Sequence, residues 1–149
     1  MALVARESKQ LLIHQLLSSD TIQGLVGDRI RTQHAMDADV EGVVYPCIIL
    51  EALIGFGRYQ AGFQTITYDI YCYSHISTDE AELVYDALFS RLHAARLVDK
   101  SGVIASTGGA RELERPDDGW NEKTKSWWVR GKWLVSLARG GALDNGPFP

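Results

Sequence analysis

The sequence predicts a single-domain α+β fold in which two main helices pack on one face of an antiparallel or mixed β-sheet. Residues 63–73 alternate over the length of a long strand and lead directly into an amphipathic helix that begins at Ser77. A second long strand pattern occupies residues 125–138. A chain of 149 residues can bury about 68–70% of the surface that its unfolded form exposes, so one core is sufficient.

The N-terminal part of the chain is predicted to be helical. Apolar residues recur every three to four positions in residues 3–18, which is the pattern of an amphipathic helix. Asp20 is predicted to cap a short second helix that ends at Gly27. Residues 28–31 form a candidate short strand, and residues 32–44 have no clear period and are expected to be a loop.

The centre of the chain is predicted to form strands. Pro46 opens an apolar, β-branched run that continues to Ala52, and proline is tolerated as the first residue of a strand. A glycine-rich hairpin connection over residues 55–62 then leads into the long strand of residues 63–73. These segments supply two neighbouring strands of the expected sheet.

The helix after the long strand is predicted to face the core. Ser77 and Glu80 have the spacing of a capping box, and Ile76 is placed for a hydrophobic staple. An apolar stripe follows at helical spacing, formed by Ala81, Val84, Leu88, Leu92 and Ala95.

The C-terminal part is predicted to add further strands. Residues 102–114 indicate a strand with a bend, and residues 115–119 a turn. The last strand, residues 125–138, has one apolar face, while its other face carries Trp128, Arg130, Lys132, Leu134 and Ser136. Residues 140–149 are expected to be an irregular C-terminal arm beyond a domain of residues 1–139.

Charge and cysteine usage narrow the class of protein. The net charge of −4 and the pI near 5.5 argue against a dedicated nucleic-acid binder, which usually carries a basic field. Cys47 and Cys72 lie in apolar, strand-like runs and are interpreted as buried free thiols in a reducing compartment. No apolar run approaches the roughly 20 residues of a membrane-spanning helix, and the N-terminus lacks signal-peptide features. We therefore expect a cytoplasmic place of synthesis and use.

No motif in the sequence predicts catalysis. The four histidines are scattered, and none has metal-ligand spacing to another histidine, a cysteine or a carboxylate. The glycine-rich segments lack the Lys-Ser/Thr ending of a phosphate-binding loop, and there is no Gly-x-Ser-x-Gly elbow. We predict no catalytic residue, no metal site and no cofactor.

The second face of the sheet is the predicted contact surface. One pair of helices covers only one face, and tryptophan and arginine are enriched at protein interfaces. The candidate contact residues are Thr65, Thr67, Asp69, Tyr71, Tyr73, Trp128, Arg130, Lys132 and Phe148. An alternative is that the tryptophans and basic residues between positions 120 and 133 bind single-stranded nucleic acid by stacking.

Several segments, in this order, resemble a known family. They are Leu16–Asp20, Leu25–Ile30, Tyr45–Leu50, the strand of residues 65–74, Ala87–Leu92 and a late strand ending in Trp133-Leu-Val-Ser-Leu. Over residues 8–138 the chain resembles the tail completion and tail terminator proteins of long-tailed bacteriophages. It departs from their pattern in the longer loop at residues 32–44 and in Arg31, where an aromatic residue is usual.

The resemblance implies an α+β subunit of the virion, six copies of which form a ring in the neck. Such a homohexamer would end the tail tube and bind the head-side connector or stopper protein, and genome DNA would pass through it without specific binding. It implies assembly in the host cytoplasm, no membrane contact and no catalytic residues. A head-closure or other neck adaptor is the alternative within this class. A small cytoplasmic enzyme or ligand-binding domain is the alternative from another class.

Overall fold

The computed structural model describes residues 2–32, 45–53, 58–60, 63–93 and 109–138. Four predicted features lie outside the described residues. They are residues 33–44 of the loop predicted over 32–44, Ala95 of the helical stripe, residues 102–108 of the bent strand, and the arm with Phe148.

Three helices are described, and they span α1 (Ala2–Leu17), α2 (Asp20–Val26) and α3 (Thr78–Leu92). The prediction that Asp20 caps α2 is wrong, because the Ser19 side chain accepts the hydrogen bond from the Ile22 N–H at 3.3 Å. Asp20 is instead the first helical residue, where a negative charge still favours the helix dipole. Gly27 ends α2 with a positive φ of 61°, as the sequence indicated. No helix in the described ranges has the length and apolar character needed to cross a membrane.

The described strands form one mixed sheet. They are β1 (Ile30–Arg31), β2 (Cys47–Ala52), β3 (Arg58–Gln60), β4 (Phe63–Ser74), β5 (Gly109–Glu112), β6 (Asp117–Asn121) and β7 (Ser126–Ala138). The order is β1-β2-β4-β7-β5, with β3 paired to β4 and β6 paired to β7. Only β1 and β2 pair in parallel among these strands. The predicted α+β fold with a mixed, largely antiparallel sheet is confirmed.

The predicted turn at residues 115–119 is wrong in its second half. Strand β6 begins at Asp117, and its residues pair with β7 from Asp117 opposite Arg130 to Asn121 opposite Ser126. Asp-Asp-Gly is a turn-forming composition, but pairing with a long neighbouring strand outweighs the local preference.

The main core lies between the helices and one face of the sheet. Strand β4 contributes every second residue, Ile66, Tyr68, Ile70 and Cys72, and β7 contributes Val129, Trp133 and Val135. The predicted stripe of α3 is buried against them at Ala81, Val84, Leu88 and Leu92. The helices therefore cover one face of the sheet, as predicted.

Tyr85 of α3 fits into a notch in this core above Gly131 of β7. A Cβ atom at Gly131 would lie 1.7 Å from the Tyr85 Oη, so only glycine leaves room for the ring. The Tyr85 hydroxyl donates to Glu112 Oε2 at 2.5 Å and accepts from Trp133 Nε1 at 3.1 Å. Burial, together with the nearby Glu112 carboxylate, raises the pKa of Tyr85 well above its ordinary value.

The junction between β4 and α3 is fixed by the buried hydroxyl of Ser74. Its Oγ donates to Glu80 Oε1 at 2.6 Å and accepts from the N–H groups of Ile76 and Ser77 at 3.0 and 3.3 Å. The Ser77 side chain accepts from the Glu80 N–H at 3.1 Å, which is the predicted half of the capping box. The other half of the capping box is replaced, because the Glu80 side chain accepts from the Ser74 hydroxyl and the Ser77 N–H donates to Ser74 Oγ. The expected staple is not formed, because Ile76 is 74% exposed.

Replacing Ser74 by alanine is expected to lower the free energy of unfolding by about 1–3 kcal/mol, because it leaves buried or part-buried groups without a partner. Urea unfolding of the purified variant measures this. Ser90→Ala is the matched control, because Ser90 is exposed on α3 and alanine favours the helix there. Equal stability of the two variants would contradict the role given to Ser74.

Candidate subunit interface

The predicted contact residues of β4 and β7 lie on the same side of the sheet. Residues directly opposite each other in an antiparallel pair project to the same face. Tyr73 is opposite Trp128, Tyr71 opposite Arg130 and Asp69 opposite Lys132. Thr65 and Thr67 continue this face along β4. We call it the second sheet face, because it is the face opposite the main core.

Strand β2 adds residues to the second sheet face that the sequence analysis did not propose. Cys47 is opposite Tyr73, Ile49 opposite Tyr71, and Glu51 opposite Asp69. In the sequence, Ile48 and Leu50 alternate with Cys47, Ile49 and Glu51. Cys47 to Leu50 is nevertheless an unbroken apolar run, so its residue types do not indicate which of them face the core.

One half of the second sheet face forms a small cluster of its own. This aromatic half consists of Cys47, Ile49, Tyr71, Tyr73 and Trp128. The Tyr71 and Tyr73 rings stack with centroids 5.7 Å apart, and Trp128 meets Tyr71 edge-on at 5.9 Å. Tyr73 is only 3% exposed, so most of its contact surface is used within the subunit.

Arg130 lies at the border between the aromatic half and strand β6. Its guanidinium carbon lies 5.9 Å from the Tyr71 ring centroid and 5.7 Å from that of Trp128. Its Nε and Nη2 donate to the two carboxylate oxygens of Asp117 at 3.1 and 2.6 Å. Hydrogen bonds to Tyr71 and Asp117 raise the pKa of Arg130 above its ordinary value. The pair is half-exposed, so it orients the side chain more than it stabilises the fold.

The other half of the second sheet face is polar. This polar half consists of Glu51, Thr65, Thr67, Asp69 and Lys132. Thr67 and Asp69 are each only 9% exposed. The Oδ1 atom of Asp69 is buried and has no hydrogen-bond partner. The polar half therefore contains a buried side-chain oxygen that lacks a hydrogen-bond donor.

The tryptophans between positions 120 and 133 differ in their burial. Trp133 is fully buried in the main core. Trp120 is 41% exposed at the β6–β7 hairpin, where its ring lies 4.5 Å from that of Trp127. Trp128 lies over Gly119, whose Cβ, if present, would be 2.4 Å from the indole Cζ2.

A cleft of about 330 Å³ lies on the helix side of the sheet, between α3 and β6. Its lining residues are Glu82, Tyr85, Asp86, Arg115, Pro116, Asp117, Asp118 and Val129. Four of these eight are carboxylates, which gives the cleft an acidic wall. Across the described part of the chain, no three His, Cys, Asp or Glu side chains are grouped so that they could hold a metal ion.

The two cysteines are free and buried, as the sequence predicted. Cys72 packs in the main core, whereas Cys47 packs in the aromatic half of the second sheet face. Burial raises the pKa of Cys47 to about 12, although Arg29 and Arg31 partly oppose the shift. Burial, and then the neighbouring Cys47, also raise the pKa of Cys72. Both thiols are therefore held in the protonated form.

The free energy of unfolding is expected to fall as the pH rises above about 9. The unfolded thiols ionise there while the native ones stay protonated, so the stability present at lower pH is lost at up to about 1.4 kcal/mol per pH unit for each thiol. Cys47→Ala should reduce this slope by the share of one thiol. Urea unfolding with reductant between pH 7 and 10 measures it, and the slopes of variant and parent should agree below pH 8. Parallel curves at every pH would contradict the prediction.

The fold and surface define an α+β protein with one helix-covered sheet face and one partly polar face. No protein-family model and no curated protein matches the sequence. Among solved structures, the fold is similar to that of a chain in the virion of a native gene transfer agent (GTA) particle, with a TM-score of 0.62 and 13% sequence identity. The match covers 86% of this chain and 92% of that chain. At this identity the likeness concerns the fold.

Proposed function

We propose that the chain is a structural protein of a phage-like virion. The observation that carries this proposal is the fold shared with a chain of the gene transfer agent virion along most of both chains. The match leaves only a small share of either chain uncovered, which supports a like-for-like subunit. Within that class, the order of the sequence segments favours a tail terminator, a ring that ends the tail tube and joins it to the head-side connector or stopper protein.

The second sheet face supports an assembly role. A closed ring of identical subunits needs two different contact surfaces on each copy, one for each neighbour. The proposed first surface is the β4 and β7 part of this face, made of Thr65, Thr67, Asp69, Tyr71, Tyr73, Trp128, Arg130 and Lys132. We also propose an arm over residues 140–149, with Phe148 contacting a neighbouring subunit, beyond the domain of residues 1–139.

The net charge supports a position around a DNA channel. At a formal charge of −4 per chain, a ring of subunits would repel phosphate. DNA could then pass without being retained by basic patches. In this proposal the protein works by shape and association, with no catalytic step, no cofactor and no membrane contact, and it resides in the virion neck after assembly in the host cytoplasm.

Native mass spectrometry and negative-stain imaging test the proposal. The purified chain should form rings, with six copies as the expected number, at rising concentration or on addition of the tail-tube and connector proteins from the same virion. A chain that stays monomeric under all these conditions would exclude a ring joint. Co-purification with empty tails supports the terminator, whereas co-purification with filled heads would favour a head-closure or neck adaptor protein.

A further inference from the structure

The two halves of the second sheet face differ in whether their polar groups find partners within the subunit. In the aromatic half, the rings pack on one another and Arg130 is bound by Asp117. In the polar half, Asp69 is 9% exposed and its Oδ1 has no hydrogen-bond partner. The unmet interaction is therefore localised at one carboxylate near the middle of strand β4.

A buried carboxylate oxygen without a donor is unfavourable, because it has lost hydration and gained no hydrogen bond in exchange. The residues directly across the sheet from Asp69 are Glu51 on β2 and Lys132 on β7. Asp69 is an anion, so a cationic donor suits its unpaired oxygen best. Among the described residues, Lys132 forms no ion pair with Asp69.

The missing donor is better explained by a side chain than by a metal ion. The described residues hold no group of three potential metal ligands, and Asp69 and Glu51 alone would leave a divalent ion short of protein oxygens. A guanidinium fits a carboxylate in fixed geometry and is the usual choice for ion pairs at interfaces.

The chain carries suitable arginines at both edges of the sheet. Arg31 on β1 is opposite Ile49, and Arg111 on β5 is opposite Leu134, so both belong to the second sheet face. Both are exposed, and neither takes part in a hydrogen bond or salt bridge among the described residues. An edge arginine of one copy can approach the middle of the face of another copy, whereas Asp69 itself is recessed.

We propose that Asp69 is the acceptor of a contact between copies of this chain, and that its donor is an edge arginine, Arg31 or Arg111, of the next copy. This inference rests on the proposed ring and gives it a specific polar contact. The isolated subunit is left with one buried carboxylate oxygen that has no donor, and association supplies it. The charge of Asp69 therefore lowers the stability of the free subunit and strengthens its association with the next copy.

Asp69→Asn tests the acceptor. The amide keeps the shape but removes the buried charge, so the melting temperature of the monomeric form, measured at low concentration, should rise by about 2–4 °C. The dissociation constant for assembly, measured by sedimentation, should increase at least about tenfold. A merely structural residue would not change the two quantities in opposite directions.

Asp86→Asn is the matched control, because it makes the same change in an exposed carboxylate on α3, on the opposite side of the sheet. Assembly should be unchanged in this variant. If Asp86→Asn weakens assembly as much as Asp69→Asn does, or if Asp69→Asn leaves assembly intact, the inference is wrong while the ring proposal stands. A parent protein that never assembles would instead overturn the proposed function.

Charge reversal identifies the donor. Asp69→Arg should abolish assembly, and combining it in the same chain with Arg31→Asp or with Arg111→Asp should restore assembly for the arginine that makes the contact. Circular dichroism of each variant establishes that the subunit is folded. Restoration by one of the two combinations supports the pairing, and restoration by neither would exclude an edge arginine as the donor.

Discussion

Replacing Gly131 by alanine is expected to lower the free energy of unfolding by about 2–5 kcal/mol. The new methyl group would occupy the position of the Tyr85 hydroxyl and would also lie 2.6 and 2.8 Å from the Tyr85 ring atoms Cζ and Cε2. The ring is held by Glu112 and Trp133, so it cannot move without giving up both hydrogen bonds. Overpacking costs about 1–3 kcal/mol, and a lost buried hydrogen bond costs a similar amount.

Gly24→Ala is the matched control for Gly131→Ala. A Cβ at Gly24 meets no atom within 4 Å, and alanine is the better helix former, so this change should stabilise α2 by roughly 0.5–1 kcal/mol. Urea unfolding measures both. Adding Tyr85→Phe to the Gly131→Ala variant should lower the free energy of unfolding by less than Tyr85→Phe does in the parent protein. The reason is that it removes the hydroxyl oxygen, which is the atom nearest to the new methyl group. Additive effects would show that Tyr85 is not what makes glycine necessary.

Trp133→Ala is expected to lower the free energy of unfolding by about 3–5 kcal/mol. Trp133 is fully buried at the centre of β7, and its Nε1 donates to the Tyr85 hydroxyl. The change would leave a cavity in the main core and remove a donor from a buried network.

The same substitution at Trp120 provides the comparison, because Trp120 is 41% exposed and its Nε1 donates to the exposed Glu122. Trp120→Ala should change the free energy of unfolding by less than about 1 kcal/mol. Denaturant titration followed by circular dichroism avoids a signal that depends on the deleted indole. If both variants lose the same stability, the separation of core and surface tryptophans described above is wrong.

The long periodic segments could be predicted because their signal is local. Strand β4 alternates without interruption, and α3 repeats apolar residues at helical spacing after Ser77. The partners of these segments were not predictable in the same way. Gly131 carries no hydrophobic signal, yet the notch it makes receives Tyr85 from an element 46 positions away. Strand β6 exists because β7 is beside it, which the sequence Asp-Asp-Gly does not indicate.

The candidate contact face was predictable in its composition but not in its burial. Alternation alone places Thr65, Thr67, Asp69, Tyr71 and Tyr73 on one side of β4. Whether a side chain on that side is open or covered depends on the strands to its left and right. Cys47 and Ile49 help to bury Tyr73, and this follows from the register between β2 and β4. The recessed position of Asp69, on which the proposed contact rests, likewise required the assembled sheet.

The pairing of β4 with β7 has a mechanical consequence. The two strands run antiparallel through twelve consecutive residue pairs, from Phe63 opposite Ala138 to Ser74 opposite Trp127. Because the hydrogen bonds of an antiparallel pair lie perpendicular to the strands, a pull along the strand axis loads all of them at once in shear. A pull across the strands would separate them one after another at much lower force. A subunit anchored through opposite ends of β4 and β7 would therefore carry tension through its whole central ladder.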